Sequence, residues 1–321
     1  MSSSSPSTWS EGKSEALAKC FLPLSSDNHK GSSGRVGVLG GSAQYTGAPY
    51  YAGMAALQSG ADLAYIFCAQ EAALAIKSYS PELMVAPVYT AADLDAALES
   101  SNKEEQNALV DSMVERVVSH MERLHVLVMG PGLGRCPLVF QATARIMKEA
   151  MARNIALVVD ADALFLLTLD DYKDTLASYD KVVLTPNVVE YNRLVQAHGD
   201  DNLNFATKGL VVKKGAQDLI LQGGGESLVC AEAGGLKRSG GLGDILAGTL
   251  ATFVGWNEIL QSRGCTVDRK LSCWSACCVT KRATHVAFRG KRRAMTAPDV
   301  LHEIGAAMMA MENEEGSAST C

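Results

Sequence analysis

Apolar residues recur along this chain as short runs rich in Val, Leu and Ile, each closed by small or polar residues. Arg35 to Leu39 ends in Gly40-Gly41-Ser42, and His125 to Met129 ends in Gly130-Pro131-Gly132-Leu133-Gly134. Ile155 to Val159 ends in Asp160-Ala161-Asp162, Lys181 to Leu184 in Thr185-Pro186-Asn187, and Leu210 to Val212 in Lys213-Lys214-Gly215. Such runs are the pattern of strands buried on both faces. Ala61 to Cys68 and Met84 to Tyr89 read as further strands. Helical spacing runs over Ala48 to Ser59 and Leu138 to Arg153. Strand, glycine turn, helix, strand is the signature of a parallel sheet covered by helices. Asp218 to Leu221 and Ser227 to Ala231 predict a late antiparallel hairpin around Gly223-Gly224-Gly225, and from Gly243 the pattern is helical.

Asp93 to Arg123 differs. It is polar and acidic, with Leu98, Leu109, Met113 and Val117 as a sparse stripe, and predicts a peripheral helical segment. The serine-rich start predicts a disordered leader over residues 1–33. A single catalytic domain is expected over 34–311 and a flexible tail over 312–321. The expected class is α/β, a three-layer sandwich with a mostly parallel central sheet flanked by helices.

In open α/β sheets, ligands bind beyond the carboxyl ends of the strands. The polar residues closing each run therefore converge on one rim, although they are far apart in sequence. Gly240-Gly241-Leu242-Gly243-Asp244 stands out beside them. Glycines let the backbone turn sharply and bring its N–H groups close to an anion. The first helical turn that follows has unpaired N–H groups and the positive end of the dipole. Asp244 at that helix start is placed to take a proton from an attacking hydroxyl. A simple N-cap reads the same residues as structural. No Gly-Lys-Ser/Thr follows at the spacing of a P-loop.

Composition narrows the choice. The chain has 321 residues and a net charge of −6, which argues against a phosphate-backbone partner. The basic cluster Arg289, Lys291, Arg292 and Arg293 reads first as a solvated helix end. Nine scattered cysteines predict free thiols in a reducing compartment, and Cys273, Cys277 and Cys278 predict buried structural thiols. No run reaches the roughly 18 apolar residues of a membrane span. Residues 1–10 carry no basic residue and no apolar core, so a cytoplasmic protein is expected.

Taken in order, these motifs resemble the ribokinase-like superfamily and, within it, the ATP-dependent (S)-NAD(P)H-hydrate dehydratases. The resemblance rests on Gly40-Gly41-Ser42, Tyr45 to Gly53, Gly130 to Arg135, Asp160 to Leu164, Thr185 to Leu194, Lys214 to Asp218, and Gly240 to Asp244 followed by Leu246-Ala247-Gly248. It spans roughly residues 34–304. It implies repair of reduced nicotinamide cofactors whose ring has been hydrated, driven by ATP with release of ADP and phosphate. It implies Asp244 as the base on the substrate hydroxyl. It implies ATP contacts from Lys214, Gly215, Ala216, Gln217 and Asp218, and from Gly234, Gly235, Leu236, Lys237, Arg238, Ser239, Gly240, Gly241, Leu242 and Gly243. Gly132, Asn187, Val188, Val189, Glu190, Tyr191, Asn192, Arg193 and Asp244 would line the substrate side. Mg²⁺ would bridge the ATP phosphates, a separate epimerase would work alongside, and a homo-oligomer is compatible.

Three rival readings stand beside this one. A small-alcohol kinase of the same superfamily would share Asp244 and the glycine turn. A nicotinamide-dependent oxidoreductase would use Gly130-x-Gly132-x-Gly134, with Asp160 at the end of the next strand as a ribose-binding acid, but the third glycine comes one residue early for the dinucleotide fingerprint and the Gly240 turn would have no role. A non-catalytic nucleotide sensor would have no need of Asp244.

Overall fold

The structure is a computed structural model and describes residues 5–199, 208–223 and 225–313. One sheet runs through it: β1 (Arg35–Leu39), β2 (Leu63–Ala69), β3 (Leu83–Tyr89), β4 (Val126–Met129), β5 (Ala156–Val159), β6 (Val182–Leu184), β7 (Leu210–Lys213), β8 (Asp218–Leu221) and β9 (Leu228–Cys230). Their spatial order is β3-β2-β1-β4-β5-β6-β7-β8-β9. All pairings from β3 to β7 are parallel, while β8 pairs antiparallel with both β7 and β9.

The helices are α1 (Trp9–Cys20), α2 (Gly47–Gln58), α3 (Gln70–Tyr79), α4 (Ala91–Ser100), α5 (Lys103–Met121), α6 (Pro137–Ala152), α7 (Ala161–Leu166), α8 (Val188–His198), α9 (Leu242–Ser262), α10 (Arg269–Lys291) and α11 (Ala297–Asn313). Side chains alternate across each strand. Val126 and Val128 therefore join the core formed with α1, α2, α9, α10 and α11. Leu127 and Met129 join the opposite core, formed with α5, α6, α7 and α8. The result is the expected sandwich, mostly parallel and covered on both faces.

The long apolar helix α9 is the pillar of the first layer. A Cβ at Gly248 would lie 2.0 Å from the Ala52 carbonyl oxygen, so α9 and α2 meet backbone to backbone. Thr252 seals the contact by donating to the Ala56 carbonyl at 2.9 Å. This close approach fixes where the N-terminus of α9 emerges above the strand ends.

The strand order reverses at β1, which lies between β2 and β4. That is the switch point at which a crevice opens. The chain leaves β1 through Gly40 and β4 through Gly130, and both positions demand glycine. A Cβ at Gly40 would lie 2.1 Å from the Pro131 oxygen, and one at Gly130 (φ +117°) would lie 1.9 Å from the Asp160 oxygen.

Two expectations are corrected. Residues 9–22 are not a disordered leader. Trp9, Ala16, Cys20, Phe21 and Leu22 are buried, and the Trp9 ring stacks on Trp274 at 5.9 Å between centroids. A capping box of Thr8 and Glu11 starts α1. Nor is the 93–123 segment peripheral. It forms α4 and α5, and Val110, Met113, Val117 and Met121 of α5 are buried in the second core beside α6. Its polar character belongs to the outer face alone. The sequence reading also passed over α3 and α7. Of the tail expected over 312–321, residues 312–313 complete α11 and the rest lie outside the described residues.

Candidate active site

The site is built where α9 begins. Gly241 is its N-cap at φ +92°, a left-handed conformation that glycine adopts without cost. A Cβ there would also strike Ala297 at 2.7 Å and the Tyr51 ring at 2.9 Å. Leu242, Gly243 and Asp244 form the first turn of a 21-residue helix. Their N–H groups lack helical acceptors, and the dipole adds positive potential. The absence of a side chain at Gly243 leaves room for the Lys214 ammonium, 3.3 Å from where a Cβ would stand, with an Asp160 oxygen at 3.8 Å.

Three strand ends supply the charges around this turn. Lys214 follows β7, and its Nζ donates to Asp160 Oδ1 at 2.7 Å. Asp160 follows β5, is 2% exposed, and also accepts from Thr185 Oγ1 at 2.8 Å at the end of β6. Glu190 lies 4.0 Å from Lys214 Nζ. It is held by a capping box, its carboxylate accepting from the Asn187 N–H at 2.8 Å while Asn187 Oδ1 accepts from the Val189 and Glu190 N–H groups.

The electrostatics favour proton chemistry. Burial pushes the Asp244 carboxyl up to about 7, the Asp160 carboxylate pushes the same way, and the Lys214 ammonium opposes both. A general base is most effective when its pKa lies near the working pH. Burial also raises Glu190, with Lys214 opposing. For Lys214, burial acts to lower the pKa, but Asp160 and Glu190 outweigh it and hold the ammonium above its ordinary value. The cluster therefore keeps Lys214 charged and leaves Asp244 poised between its two forms.

Two clefts of similar size meet at this turn. One, of about 740 Å³, opens at the switch point and is lined by Ser42 to Tyr45 after β1, Gly132 to Cys136 after β4, Ala161 and Asp162, and Asp244. Gly132, at φ +61°, is another enforced glycine: a Cβ would lie 2.8 Å from that of Tyr45. The other cleft, of about 730 Å³, is lined by Gly243 and Lys214. Asp244 faces the first cleft and Gly243 the second. A group bound in one can thus meet a group bound in the other across the α9 N-terminus.

Of the residues expected to contact ATP, Lys214, Gly215, Ala216, Asp218, Gly234, Gly235, Leu236, Arg238, Ser239, Leu242 and Gly243 line the second cleft. Gln217, Lys237, Gly240 and Gly241 do not. Asp218 turns inward. It accepts from the Gly215 N–H at 2.8 Å and pairs with Lys281 at 3.4 Å, so it closes the turn after β7. Burial raises its pKa against the pull of Lys281.

Gly132 and Asp244 share the first cleft, but the 187–193 segment divides. Asn187 lines the second cleft, while Glu190 and Arg193 line a small side cavity of about 90 Å³. Val188 and Val189 are exposed, and Tyr191 lies under the Lys213 ammonium, 3.9 Å from its ring centroid. Neither these residues nor Asn192 lines either cleft.

Several site residues were missed. Asp160, which the sequence offers as a motif residue and as a ribose-binding acid in the oxidoreductase reading, is instead the partner of Lys214. Lys281 of α10 donates to the Gly215 and Ala216 carbonyls at 2.7 and 2.9 Å, and Thr284 accepts from the Gly235 N–H at 3.1 Å. They floor the second cleft from a helix with no sequence signal for that role. Burial pushes up the thiol of Cys273, and those of Cys277 and Cys278, as expected of structural cysteines. The basic cluster lies at the exposed end of α10 and just beyond it.

The chain is similar to proteins already known. A family model described as NAD(P)H-hydrate dehydratase matches residues 36–305. The ATP-dependent (S)-NAD(P)H-hydrate dehydratase of Mus musculus is 40% identical over 307 residues, covering 91% of this chain and 83% of the relative. Among solved structures, a ribokinase-like superfamily protein from Enterococcus faecalis superimposes with a TM-score of 0.69 at 20% identity, covering 93% of this chain and 94% of that one. The ADP/ATP-dependent NAD(P)H-hydrate dehydratase from Bacillus subtilis, co-crystallised with ATP/Mg²⁺, gives 0.67 at 18%, covering 97% and 100%.

Proposed function

The chain belongs to the NAD(P)H-hydrate dehydratase family, and from that premise we propose how its two clefts divide the work. The protein is an ATP-dependent dehydratase that returns the S form of hydrated NADH or NADPH to the reduced cofactor, releasing ADP and phosphate. ATP occupies the cleft between Lys214 and Gly243, its γ-phosphoryl group against the first turn of α9. The hydrated dinucleotide occupies the cleft between Gly132 and Asp244. The observation that carries this reading is that Asp244 and Gly243, neighbours in one helical turn, each line a different cleft.

In the first step, Asp244 takes the proton of the ring hydroxyl as its oxygen attacks the γ-phosphorus. The bond from that phosphorus to the β-bridging oxygen breaks, and ADP leaves. The α9 N-terminus and Lys214 stabilise charge on the transferring group, the main contribution a protein makes to phosphoryl transfer. In the second step, the ring carbon–oxygen bond breaks, phosphate leaves with the former hydroxyl oxygen, and the adjacent carbon loses a proton to water as its C–H electron pair forms the double bond.

Mg²⁺, carried on the ATP phosphates, would supply neutralisation of their charge. No group of three or more His, Cys, Asp or Glu side chains among the described residues is arranged to hold it unaided. A separate epimerase converts the R form into the S form. A cytoplasmic setting fits the eight free cysteines among the described residues. No described helix is long and apolar enough to cross a membrane.

The route is tested with hydrated NADH carrying ¹⁸O in its ring hydroxyl. Phosphorylation followed by elimination places the label in the released phosphate. Label released only as water would exclude the phosphorylated intermediate, and a stable phosphate ester without reduced cofactor would make the enzyme a kinase.

A further inference from the structure

The dehydratase reading leaves a charge problem in the cleft assigned to the dinucleotide. Asp162 and Asp244 both line it, yet its occupant carries a pyrophosphate and, in the NADPH form, a 2′-phosphate as well. Among the described residues lining that cleft, Arg135 is the one cationic side chain.

Arg135 is held in a fixed pose. Its guanidinium lies 4.0 Å from the Phe165 ring centroid, and its Nε donates to Asp162 Oδ1 at 3.1 Å. Asp162 is itself tied down, accepting from the Gly134 N–H at 3.0 Å. The two terminal nitrogens of Arg135 make no hydrogen bond to the described residues, and the side chain is 54% exposed. A planar fork with one edge anchored and one edge open is suited to bidentate capture of an anion. Arg135 also lines the 90 Å³ side cavity, as does Arg193, whose positive charge acts on the Glu190 carboxylate. The cavity's carboxylates are already engaged, Asp162 by Arg135 and Gly134, Glu190 by Asn187, Lys214 and the charge of Arg193.

Resting on the dehydratase reading, we propose that Arg135 is a phosphate-binding residue for the hydrated dinucleotide, gripping the substrate at the junction of the cleft and its side cavity. Either the pyrophosphate or the 2′-phosphate presents the required chemistry, and the kinetics separate them.

The test compares Arg135→Gln and Arg135→Lys with wild type, using hydrated NADH and hydrated NADPH at saturating ATP. Arg135→Gln should raise the dinucleotide KM about tenfold or more, the scale of a lost charge-assisted pair, leaving kcat and the ATP KM unchanged. Arg135→Lys should recover only part, because an ammonium lacks the planar fork. A rise for both substrates identifies the pyrophosphate, and a rise for hydrated NADPH alone identifies the 2′-phosphate. An unchanged KM for both in folded Arg135→Gln overturns the assignment. Should the glutamine variant fail to fold, the lysine variant decides by the same criterion. A wild-type enzyme inactive on both hydrates would instead defeat the dehydratase reading. NADPH fluorescence titration would then judge Arg135 separately, unchanged binding in the variants counting against it.

Discussion

At the scale of single residues, Asp244 occupies a position that serves chemistry at the expense of the apo fold. Burial raises its pKa from 3.8 to about 7. The folded state therefore holds its proton where the unfolded chain has released it. Stability from this group is fullest below the unfolded pKa and declines as pH rises through the folded one. Asp244→Asn should cut turnover by about 100-fold or more, the scale of general-base catalysis, while ATP binding persists. The same variant should raise the melting temperature at pH 8 and lose that advantage in acid. Near-normal turnover in the folded variant would remove Asp244 from the reaction.

Asp160 gives a second residue-scale prediction. Its carboxylate is the next largest influence raising Asp244 after burial. Asp160→Asn removes that repulsion and frees Lys214 to favour ionised Asp244. The acid limb of the kcat/KM profile should therefore move to lower pH, measured at constant ionic strength. A limb that stays in place or moves upward would show that Asp160 does not tune the base. Asp244 was legible in the sequence because a glycine turn and a helix start stand beside it. The Asp160–Lys214 pair was not, because 54 positions separate its members and no periodicity links them.

At the scale of elements, the strands were the most readable part, since burial on both faces leaves unbroken apolar runs. The helices were read less evenly. α3 begins at Ala69 with no side-chain cap, so nothing announces its start. α1 was mistaken for a leader because serines surround a narrow apolar stripe, yet Thr8 and Glu11 spell a capping box three residues apart. In α5 the stripe of Met113 and Val117 is legible, but the polar outer face hides that it is buried, together with Val110, in the second core. Trp9 is fully buried and contacts both Trp274 and Phe21. Trp9→Ala should cost about 3–5 kcal/mol, the range for an aromatic removed from a core, read as a lower midpoint in chemical denaturation. A midpoint equal to wild type would mean that α1 is dispensable for the fold.

At the scale of the whole molecule, function follows from two features of topology. The reversal of strand order at β1 opens one cleft, and the packing of α9 on α2 sets the glycine turn between that cleft and the next. The sequence showed that polar strand ends share a rim. It did not show that the rim holds two separate clefts, because their separation depends on where α9 emerges. For the same reason the 187–193 segment, expected wholly on the substrate side, sends Asn187 to the second cleft and Glu190 and Arg193 to the side cavity, and its other residues line neither.

The central claim is that Asp244 joins an ATP cleft to a hydrated-dinucleotide cleft. The most direct test incubates the purified protein with hydrated NADH, ATP and Mg²⁺, and follows reduced-nicotinamide absorbance and ADP together. The account predicts that both rise in equal amounts, that neither rises without ATP, and that Asp244→Asn suppresses both. ADP released without reduced nicotinamide, or reduced nicotinamide formed without ATP, would contradict it.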